Sequence, residues 1–245
     1  MAHSGIKIEG LSFRYPDGTP ALRELSLEIA RGERVGIIGP NGAGKSTLLF
    51  TLNGIYSGEG RIEISGKEVN ERNLKEIRRK VGLVFQDPVD QLFMPTVLED
   101  VAFGPLNLGC EKAEAVRLSL EALKAVGMEN ARDKISHHLS HGEKKRVSVA
   151  TVLSMSPDII ALDEPTSNLD PRARMELLDI LSGLDKTVII ASHDLDFVMR
   201  LCGRTVLLDG GRIKAQGETR KILSEETLLE RHGLLLPPAI EEAAK

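Results

Sequence analysis

Cysteine is scarce in this chain. Only Cys110 and Cys202 occur in 245 residues, far apart and with no Cys-x-x-Cys spacing. They read as reduced thiols of a cytosolic protein, not as a disulfide framework. Long apolar runs are missing too. No stretch approaches the length of a membrane span, and the N-terminus has no signal-peptide core. The reading is a soluble chain; any role at a membrane needs another subunit to supply the spanning part. A basic excess is also absent. Lys plus Arg number 32 against 36 for Asp plus Glu, a formal charge of −4, and the longest basic run is Lys144-Lys145-Arg146. That argues against a nucleic-acid partner. No internal repeat and no low-complexity tract is found. What remains is 41% hydrophobic and 28% charged residues, ordinary for a globular protein. The length suits one large domain, or a core with one inserted subdomain.

One stretch organises the rest. Gly39-Pro40-Asn41-Gly42-Ala43-Gly44-Lys45-Ser46-Thr47 matches the phosphate-loop pattern of glycine, four residues, then Gly-Lys-Ser/Thr. Arg34 to Ile38 before it reads as a buried strand, and Thr47 to Asn53 after it as a helix stopped by Gly54. Strand, glycine turn and helix are the context the motif needs. The glycines let backbone N–H groups turn inward around an anion, and the helix start adds its own unpaired N–H groups. Lys45 is the point charge for the terminal phosphates, and the Ser46 hydroxyl is a magnesium ligand. The chain binds a nucleoside triphosphate.

The flanking pattern predicts the fold class. Ile6–Tyr15 and Ala21–Ile29 alternate apolar and polar residues, as does Arg61–Ile64, so the first third reads as antiparallel hairpins around one strand–loop–helix unit. Val81–Phe85 is a short buried strand, and Gln86 to Pro95 fits a loop with exposed Leu92, Phe93 and Met94. Helices follow from Thr96 and over Glu111–Val126, the second with Ala115, Leu118, Ala122, Leu123 and Val126 on one face. Beyond Gly142, helix and strand alternate: a helix to Met155, strand 158–162, helix 172–184, strand 187–191, helix 195–201 and strand 205–208. That alternation means a parallel, helix-covered sheet. Residues 218–245 read as helical fragments and a loosely held tail.

Two acids close the strand Ile159-Ile160-Ala161-Leu162-Asp163-Glu164. In phosphate-loop proteins a strand-end Asp holds magnesium, a role that suits Asp163, and Glu164 is then placed to polarise the attacking water. His137, His138 and His141 cluster before and within the next helix; only His137 and His141 have the spacing of two ligands on a helix, and a solvated loop is the better reading.

The order phosphate loop, Phe85-Gln86, Leu139-Ser140-His141-Gly142-Glu143, Leu162-Asp163-Glu164-Pro165, Ser167-Asn168-Leu169-Asp170 and Ser192-His193-Asp194 resembles the ATP-binding-cassette (ABC) ATPases over nearly the whole chain. The resemblance implies an α/β fold: a phosphate-loop core with a mixed parallel sheet and an antiparallel β subdomain (1–86 and 157–217). It also implies an inserted α-helical subdomain with the signature segment (87–156) and a C-terminal tail (218–245). Two copies, or one copy and a related ATPase, would dimerise head to tail with ATP and Mg²⁺ between one phosphate loop and the other signature. Ser140 and the Gly142 backbone would contact the γ-phosphate across the dimer. Gln86 would sense magnesium and the attacking water, Asp170 would link the two sites, and His193 would hold the transition state. Tyr15 stands where the family stacks a ring on adenine; an ordinary strand-end aromatic is the alternative.

The signature departs from the family's commonest Leu-Ser-Gly-Gly-Gln at His141 and Glu143. Glu143 adds a negative charge near the phosphates, which is expected to oppose ATP-driven closure. The loop Asp87 to Phe93 and the run Pro95 to Pro105 are similar to the energy-coupling-factor importers, whose membrane subunit docks in a groove here. Leu228 to Leu234 followed by Pro237 resembles the cobalt/nickel branch. The implied location is the cytoplasmic face of the membrane. A non-transport clamp, such as a division-linked cassette, is the rival.

Overall fold

The computed structural model describes residues 4–238 and 240. Its first layer is a four-stranded antiparallel sheet. Strands β1 (Ser4–Arg14), β2 (Pro20–Ala30), β4 (Glu59–Ile64) and β5 (Lys67–Glu68) pair in the order β2-β1-β4-β5. Apolar partners face across it, Ile6 with Ile29 and Ile8 with Leu27, and their side chains are buried on one side.

The second layer is a six-stranded sheet in the order β10-β9-β3-β8-β7-β6. It comprises β3 (Arg34–Ile38), β6 (Val81–Val84), β7 (Ile159–Asp163), β8 (Thr187–Ala191), β9 (Arg204–Asp209) and β10 (Arg212–Glu218). All neighbours run parallel except β10, an antiparallel edge strand on β9. The parallel part is what the alternation of helix and strand predicts, and the antiparallel edge makes it the mixed sheet that the family resemblance implies. Strands β7 and β8 are buried on both faces and read as continuous apolar runs for that reason. Alternate residues go to different cores: Ile160, Leu162, Val188 and Ile190 face the helices, whereas Ile159, Ala161, Ile189 and Ala191 face the antiparallel sheet and helix α1 (Lys45–Leu52). Short α2 (Leu74–Lys80) precedes β6.

Helices α3 (Val97–Asn107), α4 (Lys112–Ala125) and α5 (His141–Leu153) fill the chain between β6 and β7. α3 and α5 each begin with a reciprocal capping box, Thr96 with Glu99 and Ser140 with Glu143. On α4 the inward face holds Ala115, Ser119, Ala122 and Leu123. The expected Leu118 is only half-buried; Ser119 is buried because its hydroxyl is satisfied by the Ala115 carbonyl at 2.7 Å.

One expectation is corrected. Leu92 is not exposed beside Phe93: it is 3% exposed and belongs to the helical core, with Met94 half-buried and Phe93 58% exposed. The buried Asp100 carboxylate takes the N–H groups of both Phe93 and Met94 at 2.8 Å, which fixes the loop with Leu92 turned in. The helical fragments expected beyond residue 218 are present and packed. After α6 (Pro171–Ser182) and α7 (Leu195–Leu201), helices α8 (Thr219–Leu223) and α9 (Glu226–Arg231) dock Ile222, Leu223, Leu229 and Leu234 into the same core. His232 Nδ1 lies 2.7 Å from an Asp209 carboxylate oxygen. The Ala/Glu-rich end lies outside the described residues, apart from Ile240.

Candidate functional site

The phosphate loop joins β3 to α1, and its backbone needs glycine at two crowded positions. At Gly39 (φ +151°) an added Cβ would sit 1.9 Å from the Leu208 carbonyl oxygen, and at Gly44 (φ +102°) 2.6 Å from that of Ala21. Gly44 caps α1 with no side-chain hydrogen bond, so the first N–H groups of the helix stay open to an anion. Lys45, the first residue of α1, is buried and its ammonium donates to the carbonyls of Gly39 (2.8 Å) and Pro40 (3.2 Å).

The parallel sheet delivers the acids to the same place. Ser46 Oγ donates to Asp163 Oδ1 at 2.9 Å, across 117 residues of sequence. Asp163 is 3% exposed, and burial, reinforced by neighbouring Glu164, raises its pKa above the usual carboxylate range; the Ser46 hydroxyl, Lys45 and Lys145 oppose that rise. A serine hydroxyl and a carboxylate this close are hard oxygen donors of the kind magnesium takes.

Glu164 is held harder than any other residue of the site. Its φ is +40°, a left-handed backbone rare for a residue with a Cβ, and its N–H donates to the Ala191 carbonyl of β8 at 2.8 Å. Its carboxylate is 6% exposed. Oε2 lies 2.8 Å from His193 Nδ1 and accepts from the His193 N–H at 3.2 Å and the Ser192 hydroxyl at 3.3 Å. Oε1 lies 3.6 Å from the Lys45 ammonium. Acid, lysine and histidine thus form one cluster drawn from three strand ends.

This cluster opens on a cavity of about 500 Å³ lined by Tyr15, residues 41–47, Gln86, Glu164 and His193 among others. Tyr15 donates to or accepts from Thr47 Oγ1 at 2.7 Å and packs edge-on against Phe13 and Tyr56. Ser140, Gly142 and Asp170 are elsewhere. They line a second open cavity with His141, Glu143 and Arg172, which shares no residue with the first. There Asp170 caps α6 through the Ala173 N–H at 2.9 Å, and a Cβ on Gly142 would meet the Ala173 methyl at 2.8 Å.

Two buried polar residues, Asp100 and Lys145, and the half-buried Gln91 have no role assigned by the sequence reading. Asp100 also accepts the Ser136 hydroxyl at 2.5 Å. Gln91 accepts the Phe85 N–H at 3.0 Å and donates to the Ser148 carbonyl and Thr151 hydroxyl of α5. Lys145, the middle residue of the longest basic run, is wholly buried. The signal was its helical phase, since Lys145, Ser148, Val149 and Val152 fall on one face.

The model of the ABC transporter family matches residues 22–167. The chain belongs to that family. It is similar to an energy-coupling factor transporter ATP-binding protein of Carboxydothermus hydrogenoformans, 51% identical over 95% of this chain and 87% of that one. Its fold is similar to that of a CbiO protein from Clostridium perfringens, described as part of the ABC transporter complex CbiONQ. That match has a TM-score of 0.83 at 38% identity and covers 99% of this chain and 100% of the other. It also resembles a dimeric ATP-binding cassette in a post-hydrolysis state bound to ADP and phosphate, with TM-score 0.79, 28% identity, and coverage of 88% and 99%. This ABC protein is an ATP-hydrolysing subunit of the energy-coupling-factor type. Among its described residues no helix is long and apolar enough to cross a membrane.

Proposed function

We propose that this ABC ATPase powers an importer of cobalt or nickel ions, through membrane subunits that sit outside this chain. Two copies, or one copy and a related ATPase, close head to tail on two ATP molecules at the cytoplasmic face of the membrane. The observation that carries the reading is the division of the expected ATP contacts between two separate cavities of one chain. Residues 39–47, Gln86, Asp163, Glu164 and His193 form one wall; Ser140, Gly142 and Asp170 form the wall offered to a partner.

In this reading Ser46 and Asp163, with Gln86 nearby, hold Mg²⁺, which neutralises phosphate charge when bound. Lys45 and residues 39–44 hold the β- and γ-phosphates, and Tyr15 covers the base. Glu164 Oε2 is occupied by its three donors, leaving Oε1 to orient a water at the γ-phosphorus. The water oxygen attacks, the bond to the β–γ bridging oxygen breaks, and ADP leaves with that oxygen's negative charge. His193, fixed by Glu164, steadies the charge on the transferring phosphoryl group. The 87–156 segment is proposed to move against the core as a unit. Exposed Phe93 and Phe103, packed edge to face with ring centroids 4.9 Å apart, with Val89 and Leu106 also exposed, suit the docking site of the membrane subunit.

The cobalt/nickel choice rests on the likeness to the CbiO fold and on Leu228 to Leu234 and Pro237. The energy-coupling-factor relatives fit a vitamin importer equally, which is the second reading. Purifying the native membrane complex, identifying its integral subunits and assaying uptake in vesicles separates them. ATP-dependent uptake of radiolabelled cobalt or nickel supports the proposal; uptake of a vitamin alone, or the absence of any membrane subunit, overturns it.

A further inference from the structure

Lys145 is among the largest side chains with no exposure at all, and lysine is seldom buried without a task. Its ammonium donates to two successive backbone carbonyls, Phe85 at 3.2 Å and Gln86 at 2.6 Å. Those residues directly follow β6, and Gln86 lines the phosphate-loop cavity. Burial pushes its pKa down to about 8, and the charges of Asp87, Asp163 and Glu164 hold it against a further fall. Gln91 makes a parallel tie from the Phe85 N–H to the Ser148 carbonyl. Lys145 lies on the second turn of α5, about 7 Å along the helix from the cap residue Ser140. No loop intervenes.

We propose that Lys145 is a positioning residue that couples the two ATP sites of the dimer. It fastens the Phe85–Gln86 backbone, which borders this chain's own nucleotide, to the helix whose first turn completes the partner's site. The inference rests on the two-copy reading above. When Gln86 shifts on meeting nucleotide, the lysine carries the shift into α5 and so to Ser140. Filling space alone would not call for an ammonium here, since an apolar side chain of the same length would pack without the cost of burying charge. What the ammonium adds is a directional grip on two adjacent carbonyls.

The test uses the full-length chain with Lys145→Met, which keeps the apolar stem, Lys145→Arg, which keeps the charge, and Gln91→Met, which cuts only the parallel tie. Melting temperature, affinity of the isolated chain for a fluorescent ATP analogue, and the ATP dependence of hydrolysis are measured for each. The expected result for Lys145→Met is an affinity within about twofold of wild type, a Hill coefficient falling towards one, and kcat reduced by about tenfold. Lys145→Arg recovers part of both, and Gln91→Met moves both in the same direction by less. A folded Lys145→Met with wild-type cooperativity and kcat overturns the proposal. If that variant does not fold, wild-type cooperativity in Gln91→Met overturns it instead. A wild-type chain that neither dimerises with ATP nor hydrolyses it cooperatively defeats the two-copy reading itself, a different failure.

Discussion

At the scale of residues, the cluster of Glu164, Lys45 and His193 proposed as catalytic is a set of polar and charged groups held at fixed separation. Glu164 sits on a left-handed backbone with three donors on one oxygen, so the carboxylate cannot turn away from the phosphate side. Glu164→Gln is expected to bind ATP within a fewfold of wild type and to lose steady-state hydrolysis by about 10²-fold or more; full turnover would remove its assigned role. Lys45→Ala is expected to lose nucleotide affinity, which equilibrium binding checks. Glu143 looked from the sequence like a stray charge beside the phosphates. In the structure its carboxylate accepts the Ser140 N–H at 2.8 Å, and that hydrogen bond is the main reason its pKa lies below the usual carboxylate value. The cap is therefore complete above the unfolded pKa and weakens as pH falls through the lowered folded value. Glu143→Gln keeps the capping geometry but loses the ionised acceptor, so at neutral pH it should melt slightly below wild type and well above Glu143→Ala. Tighter ATP-dependent dimerisation in that variant would mark the charge as an obstacle to closure; equal dimerisation would dismiss it. Glu143→Ala, by contrast, should lose about 1 kcal/mol of stability with the cap.

At the scale of elements, the loop from Gln86 to Pro95 is the segment that sequence patterning misjudged. Its prolines and lack of periodicity read as a plain loop. In fact Pro88–Asp90 forms one 3₁₀ turn, Gln91 is bonded into α5, and Asp100 holds the amides of Phe93 and Met94. Such a loop is shaped by side chains distant in sequence, and no local pattern announces them. Asp100→Ala should leave those amides without their charged acceptor, a loss of about 1.5–3 kcal/mol. Hydrogen exchange at Phe93 and Met94 should then quicken roughly tenfold to hundredfold, and unchanged exchange would show that the carboxylate does not order the loop. The regular elements were easier. Strands β7 and β8 are apolar throughout, α3 and α5 carry their capping boxes in plain sight, and α7 occupies Leu195–Leu201 as its spacing predicted.

At the scale of the whole molecule, the chain has two apolar cores that share the parallel sheet. The C-terminal helices belong to one of them. Leu229→Ala should cost about 3 kcal/mol through the cavity it leaves, a fall in melting temperature of roughly 6–12 °C for a chain this size. Retention of the wild-type melting temperature would show that α9 adds nothing to the core. The two sets of residues proposed to contact ATP line two separate cavities, which is why the proposed site needs a second copy.

The sequence by itself determined the chemistry. Spacing within Gly39–Thr47, the acids after Leu162 and the order of the remaining motifs specify a phosphate-loop ATPase, because those functions depend on local backbone geometry and on residue type. Only the tertiary structure decided which polar residues are buried and what they grip. Lys145 in a basic run, Asp100 in an acidic pair and Leu92 in an apolar triplet look like surface residues until distant segments close over them. Burial is a property of the packed neighbours, and those are brought together by the sheet, not by adjacency in the chain.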